Sequence, residues 1–282
     1  MVIIFDGNKR KEEILNSLKP RIEKIRRKGI NPKLSIVNVG KNPASLSYIK
    51  MKIQALKKLN LEYELYDFEK IEEKDLIELI KELNEKDTNG ILIQMPLPSY
   101  LNAKKILNEI EPIKDVDCLT EENLGKLMYN DETIAPCTPK GIIDILESEK
   151  IELEGKEVVI VNNSILIGKP LSIMLTNRFA TVTLCHVKTK DLKAHTSKAD
   201  ILITATGVPK LIKKEHIKKG VVLIDAGFTK INEKPVGDVD FEEVKDLCSL
   251  ITPTPGGVGP MTVAMLVKNL ITCTELQLGL NE

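Results

Sequence analysis

Short runs of β-branched and aliphatic residues recur along this chain, separated by longer stretches with helical periodicity or by loops. Leu34–Val39, Glu62–Phe68 and Gly90–Met95 form one series, and Glu157–Val161, Thr181–Cys185, Ile201–Thr204 and Val221–Asp225 form another. Segments this short and apolar fit strands buried on both faces, the situation of a parallel sheet covered by helices. The intervening segments supply such helices. Residues 45–59 place Ile49, Ile53, Leu56 and Leu59 on one side, and residues 72–84 do the same with Leu76, Leu79, Ile80 and Leu83. A basic amphipathic helix is expected over residues 8–28, ended by Gly29. Another runs from Pro170 to Phe179, its proline at a tolerated first-turn position, and a last one covers residues 262–276.

The alternation predicts an α/β protein of two domains, which a length of 282 residues accommodates. Residues 1–145 form a small α/β domain, rejoined by the C-terminal helix over residues 262–282. Residues 146–261 form a Rossmann-like, doubly wound dinucleotide-binding domain.

Charge and cysteine content exclude several function classes. Lysine plus arginine number 41 and aspartate plus glutamate 41, so nothing favours nucleic acid or an anionic membrane as a partner. No apolar run reaches the roughly 20 residues of a membrane span, and the N-terminus lacks a secretory pattern. The cysteines Cys118, Cys137, Cys185, Cys248 and Cys273 form no C-x-x-C pair, and His186, His195 and His216 do not cluster with them. A metal site is therefore not expected, and scattered reduced thiols fit a cytoplasmic protein.

Five segments could carry chemistry. Tyr48 and Lys52 lie four apart on a predicted helix and so share a face. A tyrosine hydroxyl can order a neighbouring lysine, and a lysine drawn out of water exchanges protons more readily near neutrality. On spacing alone the commoner outcome is a solvent-facing lysine, as for Lys50, Lys57 and Lys58 on the same helix. Gln94 ends an apolar strand, where ligands of open α/β sheets bind, or else satisfies a nearby turn. Asp115-Val116-Asp117 reads as a cap or turn, or as a carboxylate pair facing a heterocycle with paired donors.

Asn162-Asn163-Ser164-Ile165-Leu166-Ile167-Gly168-Lys169 lies between a strand and a helix, the place where a dinucleotide fold puts pyrophosphate on helix amides. Of the usual glycines only Gly168 is present. Pro255-Gly256-Gly257-Val258-Gly259-Pro260-Met261-Thr262 reads as a stiff loop whose backbone can approach a ligand closely.

In this order these segments, with Pro43-Ala44-Ser45, Lys114, Pro136-Cys137-Thr138-Pro139-x-Gly141 and Gly237-Asp238-Val239, resemble the methylenetetrahydrofolate dehydrogenase/cyclohydrolases. The resemblance runs from Asp6-Gly7 to the final helix. It implies oxidation of 5,10-methylenetetrahydrofolate with a nicotinamide dinucleotide and hydrolysis of the methenyl product to 10-formyltetrahydrofolate. It also implies a homodimer formed through the nucleotide domains. By position, Lys52 matches the catalytic lysine, Tyr48 the residue that stacks on or orients the folate, Gln94 the lysine's partner and Asp117 the pterin anchor. Gly256, Gly257, Pro260 and Thr262 match the folate-side wall. Asn162, Asn163, Ser164, Ile167, Gly168 and Lys169 match the first cofactor loop, and Thr204, Ala205, Thr206 and Gly207 a second. A dehydrogenase of another class, such as a shikimate-type enzyme, has no reason to carry Tyr48, Lys52, Gln94 and Asp117 together.

The sequence departs from the family at several positions. Asn162 stands where glycine is common, so its side chain is expected to crowd the dinucleotide or else to hydrogen-bond it. Its tolerance of positive φ would preserve the turn. Asn163 replaces an arginine that some relatives use for a 2′-phosphate, Val187 replaces a polar residue, and Cys118 replaces a glycine. NAD sites place an acid at the end of the second strand. Here that segment is Cys185-His186-Val187-Lys188, which favours NADP over NAD, with His186, Lys188 or Lys169 as phosphate contacts.

Overall fold

The aliphatic runs form strands and the periodic segments form helices. The computed structural model describes residues 2–231 and 234–280; residues 1, 232, 233, 281 and 282, which fall inside the expected domain ranges, lie outside the described residues. The first half contains β1 (Ile3–Ile4), α1 (Gly7–Ser17), α2 (Lys19–Arg26), β2 (Lys33–Val39), α3 (Pro43–Lys58), β3 (Glu62–Phe68), α4 (Glu73–Glu85), β4 (Gly90–Ile93), α5 (Ala103–Leu107) and α6 (Glu121–Lys126). The second contains α7 (Cys137–Ser148), β5 (Glu157–Val161), α8 (Gly168–Thr176), β6 (Thr181–Cys185), α9 (Leu192–Thr196), β7 (Ile201–Thr204), β8 (Val221–Asp225), β9 (Thr229–Ile231), β10 (Lys234–Val236), α10 (Phe241–Val244), β11 (Cys248–Ile251) and α11 (Val258–Gln277).

Two units emerge, one of Met1–Lys11 with Thr138–Thr262 and the other of Glu12–Cys137 with Val263–Glu282. The boundary falls earlier than the expected residue 145, and the first residues join the second series of strands. The reason is pairing. Ile3 and Ile4 of β1 align in parallel with Leu250 and Ile251 of β11, and Arg10 forms an ion pair with Asp144 at 2.8 Å. Two-residue β1 is too short to leave a periodic signal, and β11 was likewise not expected. The predicted helix over residues 8–28 is two helices, because Pro20 lacks the N–H and crowds the preceding turn of a continuous helix.

In the first unit six of the described strands form a parallel sheet in the order β1-β11-β8-β7-β5-β6, while β9 and β10 pair with each other as an antiparallel hairpin. Its apolar core includes Val159, Val161, Leu202, Leu223 and Ile251. The chain moves outward from β5 to β6, then returns to the other side of β5 with β7. Such a reversal opens a crevice beyond the carboxyl ends of the strands, and the loops leaving β5 and β7 border it. In the second unit a parallel sheet, β3-β2-β4, buries Leu34, Ile36, Ile91 and Leu92 against Leu56 of α3 and Leu76, Ile80 and Leu83 of α4.

Candidate active site

Helix α3 begins under control of Asn42, whose side chain accepts hydrogen bonds from the amides of Ala44 and Ser45. Its buried residues are Ser45, Ile49, Lys52, Ala55 and Leu56, while Lys50, Lys57 and Lys58 are exposed. Lys52 therefore lies on the core face and is 5% exposed. The commoner outcome for a helical lysine, a solvated ammonium, does not hold here. A buried ammonium needs a partner, and Lys52 Nζ donates to Gln94 Oε1 at 3.1 Å. Gln94 follows β4 directly, its backbone N–H held by Val37 O and its Nε2 by Met95 O at 2.8 Å. Both ends of the amide are thus assigned, with the oxygen facing the lysine. Tyr48 lies one turn before Lys52, and burial pushes its hydroxyl pKa up, so it remains a protonated donor at neutral pH.

Lys114-Asp115-Val116-Asp117 resolves into two structural residues and one accessible carboxylate. Lys114 Nζ donates to the carbonyls of Asn84 at 2.5 Å and Lys86 at 3.1 Å, closing the end of α4. Asp115 bridges to Ile91 of β4 and accepts from Thr120 N–H at 2.9 Å and Asn123 Nδ2 at 3.1 Å. Burial raises its pKa against those bonds. Residues 114–120 are all buried except Asp117. Cys118 takes a φ of 56°, a left-handed conformation that glycine adopts more readily. Its thiol donates to Ile134 O at 3.2 Å.

The other unit holds the loops at the reversal of strand order. Asn162 is not among the residues with positive φ, and its side chain is turned into the loop. Oδ1 accepts from Ser164 N–H and Ser164 Oγ, both at 2.8 Å, and from Gly168 N–H at 3.0 Å. Nδ2 donates to Ala205 O at 2.6 Å. This amide braces the turn from within and ties it to the β7 loop. Ser164 Oγ accepts from Ile167 N–H at 3.2 Å. Gly168 is obligatory, since a Cβ there would lie 1.9 Å from Asn162 O. Asn163, Lys169, His186, Val187 and Lys188 are exposed, and His186 Nδ1 accepts from Lys188 N–H at 3.1 Å.

The second loop reveals residues that spacing did not single out. Asp238 Oδ2 accepts from Thr204 Oγ1 at 2.7 Å and Thr206 N–H at 2.5 Å. Asp225 accepts from Asp238 N–H and Val239 N–H, both at 3.1 Å, and from Gly227 N–H at 2.9 Å. Burial, then the Asp238 charge, raises the Asp225 pKa to about 7. Only glycine fits beside these carboxylates: a Cβ on Gly227 or Gly237 would come within 2.0 Å of Asp238 or Asp225. The glycine of Gly237-Asp238-Val239 was the available signal. Gly207 has a φ of 72°.

In the same unit, α11 begins at Val258 rather than 262, taking Pro260 into its first turn, where proline is tolerated. Gly7 N–H donates to Gly256 O at 2.8 Å, and a Cβ on Gly7 would meet Gly257 O at 1.9 Å. Thr262 and Thr138 share a hydroxyl hydrogen bond of 3.0 Å.

Comparison with known proteins agrees with this division. The family model for the tetrahydrofolate dehydrogenase/cyclohydrolase catalytic domain matches residues 5–117, and that for the NAD(P)-binding domain matches residues 136–278. The bifunctional protein FolD of Nautilia profundicola is 46% identical over 275 residues, covering 96% of this chain and 97% of that protein. The crystal structure of the bifunctional methylenetetrahydrofolate dehydrogenase/cyclohydrolase from Campylobacter jejuni superposes with a TM-score of 0.95 at 40% identity, covering 98% of this chain and all of that one. The Trypanosoma brucei enzyme, solved with NADP and an inhibitor, gives a TM-score of 0.94 at 32% identity, covering 98% of each chain. The chain belongs to the tetrahydrofolate dehydrogenase/cyclohydrolase family.

Proposed function

We infer that the chain oxidises 5,10-methylenetetrahydrofolate with NADP and hydrolyses the resulting methenyl cation to 10-formyltetrahydrofolate. The observation that carries this reading is the buried Lys52–Gln94 pair at the end of a parallel strand, within a family that couples these two reactions.

The residues present suit a dinucleotide. The β5–α8 turn is braced by Asn162, kept close by Gly168, and lies at the reversal of strand order. No acid stands at the end of β6; His186 and Lys188 do, with Lys169 at the start of α8, and these donors would take a 2′-phosphate. Asn163, Ser164 and Ile167 line the same turn, and Thr204–Gly207 would face the cofactor from the second loop. NADP, when bound, supplies the acceptor for the electron pair leaving the one-carbon bridge.

The chain's own residues do the rest. Asp117 takes the paired donors of the pterin and Tyr48 orients the ring. Fixing the substrate in this way is the main contribution to the first reaction. In the second, water adds to the methenyl carbon and loses a proton; the bond to one ring nitrogen then breaks as that nitrogen gains a proton and the new hydroxyl gives up its own to become the formyl oxygen. Lys52 serves these transfers, and Gln94 Oε1 orients it by accepting a hydrogen bond from its Nζ. Incubation with methylenetetrahydrofolate and either NADP or NAD, following reduced cofactor and methenyl product separately, tests the reading. Failure to reduce either dinucleotide would overturn it.

We further propose a homodimer formed through the nucleotide-binding unit. Support comes from the free edge of β6, flanked by Phe179 at 77% exposure and Val187 at 97%. Sedimentation of the pure protein decides this. A cytoplasmic location accords with five buried cysteines that form no disulfide, and no helix among the described residues is long and apolar enough to cross a membrane.

A further inference from the structure

Asn269 lies midway along α11, fully buried, among Leu266, Val267, Leu270 and Ile271. Asparagine is a poor helix former, and a carboxamide taken out of water costs free energy unless it finds partners. It finds two. Nδ2 donates to Val116 O and to Ala135 O, each at 2.8 Å, with the Cys137 sulfur at 3.6 Å. The two N–H bonds of one amide group thus join two loop segments distant in sequence.

Val116 O belongs to the peptide unit whose N–H is that of Asp117. Val116 O also accepts from the Cys137 thiol at 3.5 Å, a weaker donor, and the rest of the turn is held at other atoms. Asp115 is held by Thr120 and Asn123. The Val116 side chain packs so closely on Gly90 that a Cβ there would lie 2.4 Å from Val116 Cγ1. Cys118 is tied to Ile134. The tilt of the 116–117 peptide is thus set at Val116 O, chiefly by the Asn269 amide at 2.8 Å and more weakly by the Cys137 thiol.

We propose that Asn269 is a positioning residue for folate binding, aiming the Asp117 carboxylate by fixing the peptide before it. This rests on the proposed role of Asp117 as pterin anchor. Asn269 touches neither substrate nor cofactor in this role; its effect passes through the peptide plane.

The test is a double-mutant cycle between Asn269→Ala and Asp117→Ala, with KM for methylenetetrahydrofolate, KM for NADP, kcat and thermal midpoint read for each. Asn269→Ala is expected to raise the folate KM roughly tenfold, about one hydrogen bond's worth, with the NADP KM within about twofold of wild type. In the Asp117→Ala background it should raise the folate KM no further. Thr274→Val, which removes a buried bond to Leu270 O one turn later on α11, should lower the thermal midpoint without moving the folate KM. Asn269→Ser keeps one donor and provides an intermediate case should the alanine variant fail to fold. Equal increases in both KM values, or a full further loss in the Asp117→Ala background, would overturn the proposal. A normal folate KM in Asp117→Ala alone would instead remove the reading of Asp117 on which it rests.

Discussion

Lys52 Nζ and Gln94 Oε1 meet at 3.1 Å across a parallel sheet edge, the lysine supplied by the core face of α3 and the glutamine by the residue after β4. The glutamine cannot turn its amide nitrogen to the lysine without abandoning Met95 O. Replacing Lys52 with methionine keeps the apolar stem and removes the ammonium. Cyclohydrolase activity should fall by about 10²–10⁴-fold, the usual worth of a positioned proton-transfer group, and dehydrogenase activity should fall less. A wild-type rate of methenyltetrahydrofolate hydrolysis in Lys52→Met would exclude the assigned role.

Asp117 is the accessible carboxylate in an otherwise buried run. Asp117→Ala should weaken folate binding by roughly 1.5–3 kcal/mol, the range for hydrogen bonds to a charged group. NADP affinity should stay close to wild type, because the cofactor loops belong to the other unit. Calorimetric titration with each ligand checks this, and equal losses for both would mark Asp117 as a structural cap.

For Asn162 the geometry reverses the sign suggested by the sequence. Glycine at this position would be expected to relieve crowding, yet the amide braces the turn by accepting from Ser164 and Gly168 and donating to Ala205. Asn162→Gly should therefore loosen both loops. A net loss of about 1.4 kcal/mol corresponds to about tenfold in NADP affinity. Tighter NADP binding by the glycine variant would restore the crowding argument.

The Asp225–Asp238 pair should make stability depend on pH. Burial and the Asp238 charge raise the Asp225 pKa from 3.8 to about 7. Between those values the native state holds a proton that the unfolded chain has released, so stability falls as pH rises through this window and levels off above it. Asp225→Asn carries no titrating proton and should flatten that part of the profile. Denaturant midpoints measured from about pH 5 to pH 8 for both proteins decide the matter, and parallel profiles would assign the dependence elsewhere.

Burial explains why some elements could be read from sequence and others not. Glu157–Val161, Thr181–Cys185, Ile201–Thr204 and Val221–Asp225 form strands with the expected bounds. Strands enclosed by helices require unbroken aliphatic runs, and those runs stop where enclosure stops. Gly90–Met95 overshot β4 by two residues, although Gln94 N–H still bonds Val37 O. The Tyr48-x-x-x-Lys52 spacing left the lysine's environment open, because four residues fix a shared face but not which face turns inward. Asp225 and Asn269 escaped notice, and Lys114 and Asp238 were legible only as parts of matched segments, for a related reason. Each is a polar side chain whose role lies in partners brought together by the fold, and no local spacing encodes that.

The pairing of Ile3 with Leu250 sets a constraint on synthesis. The first strand made waits for one of the last, and the other unit waits likewise, since Arg21 finds Glu275 at 2.5 Å only when the final helix exists. Neither unit can therefore close during most of translation. β2, β3 and β4 can pair early, whereas β11 stays without its outer neighbour until the nascent N-terminus is recaptured. Contacts this distant in sequence form slowly, so a chain stalled before α11 should present unfinished sheet edge and apolar surface to the cell's folding and degradation machinery.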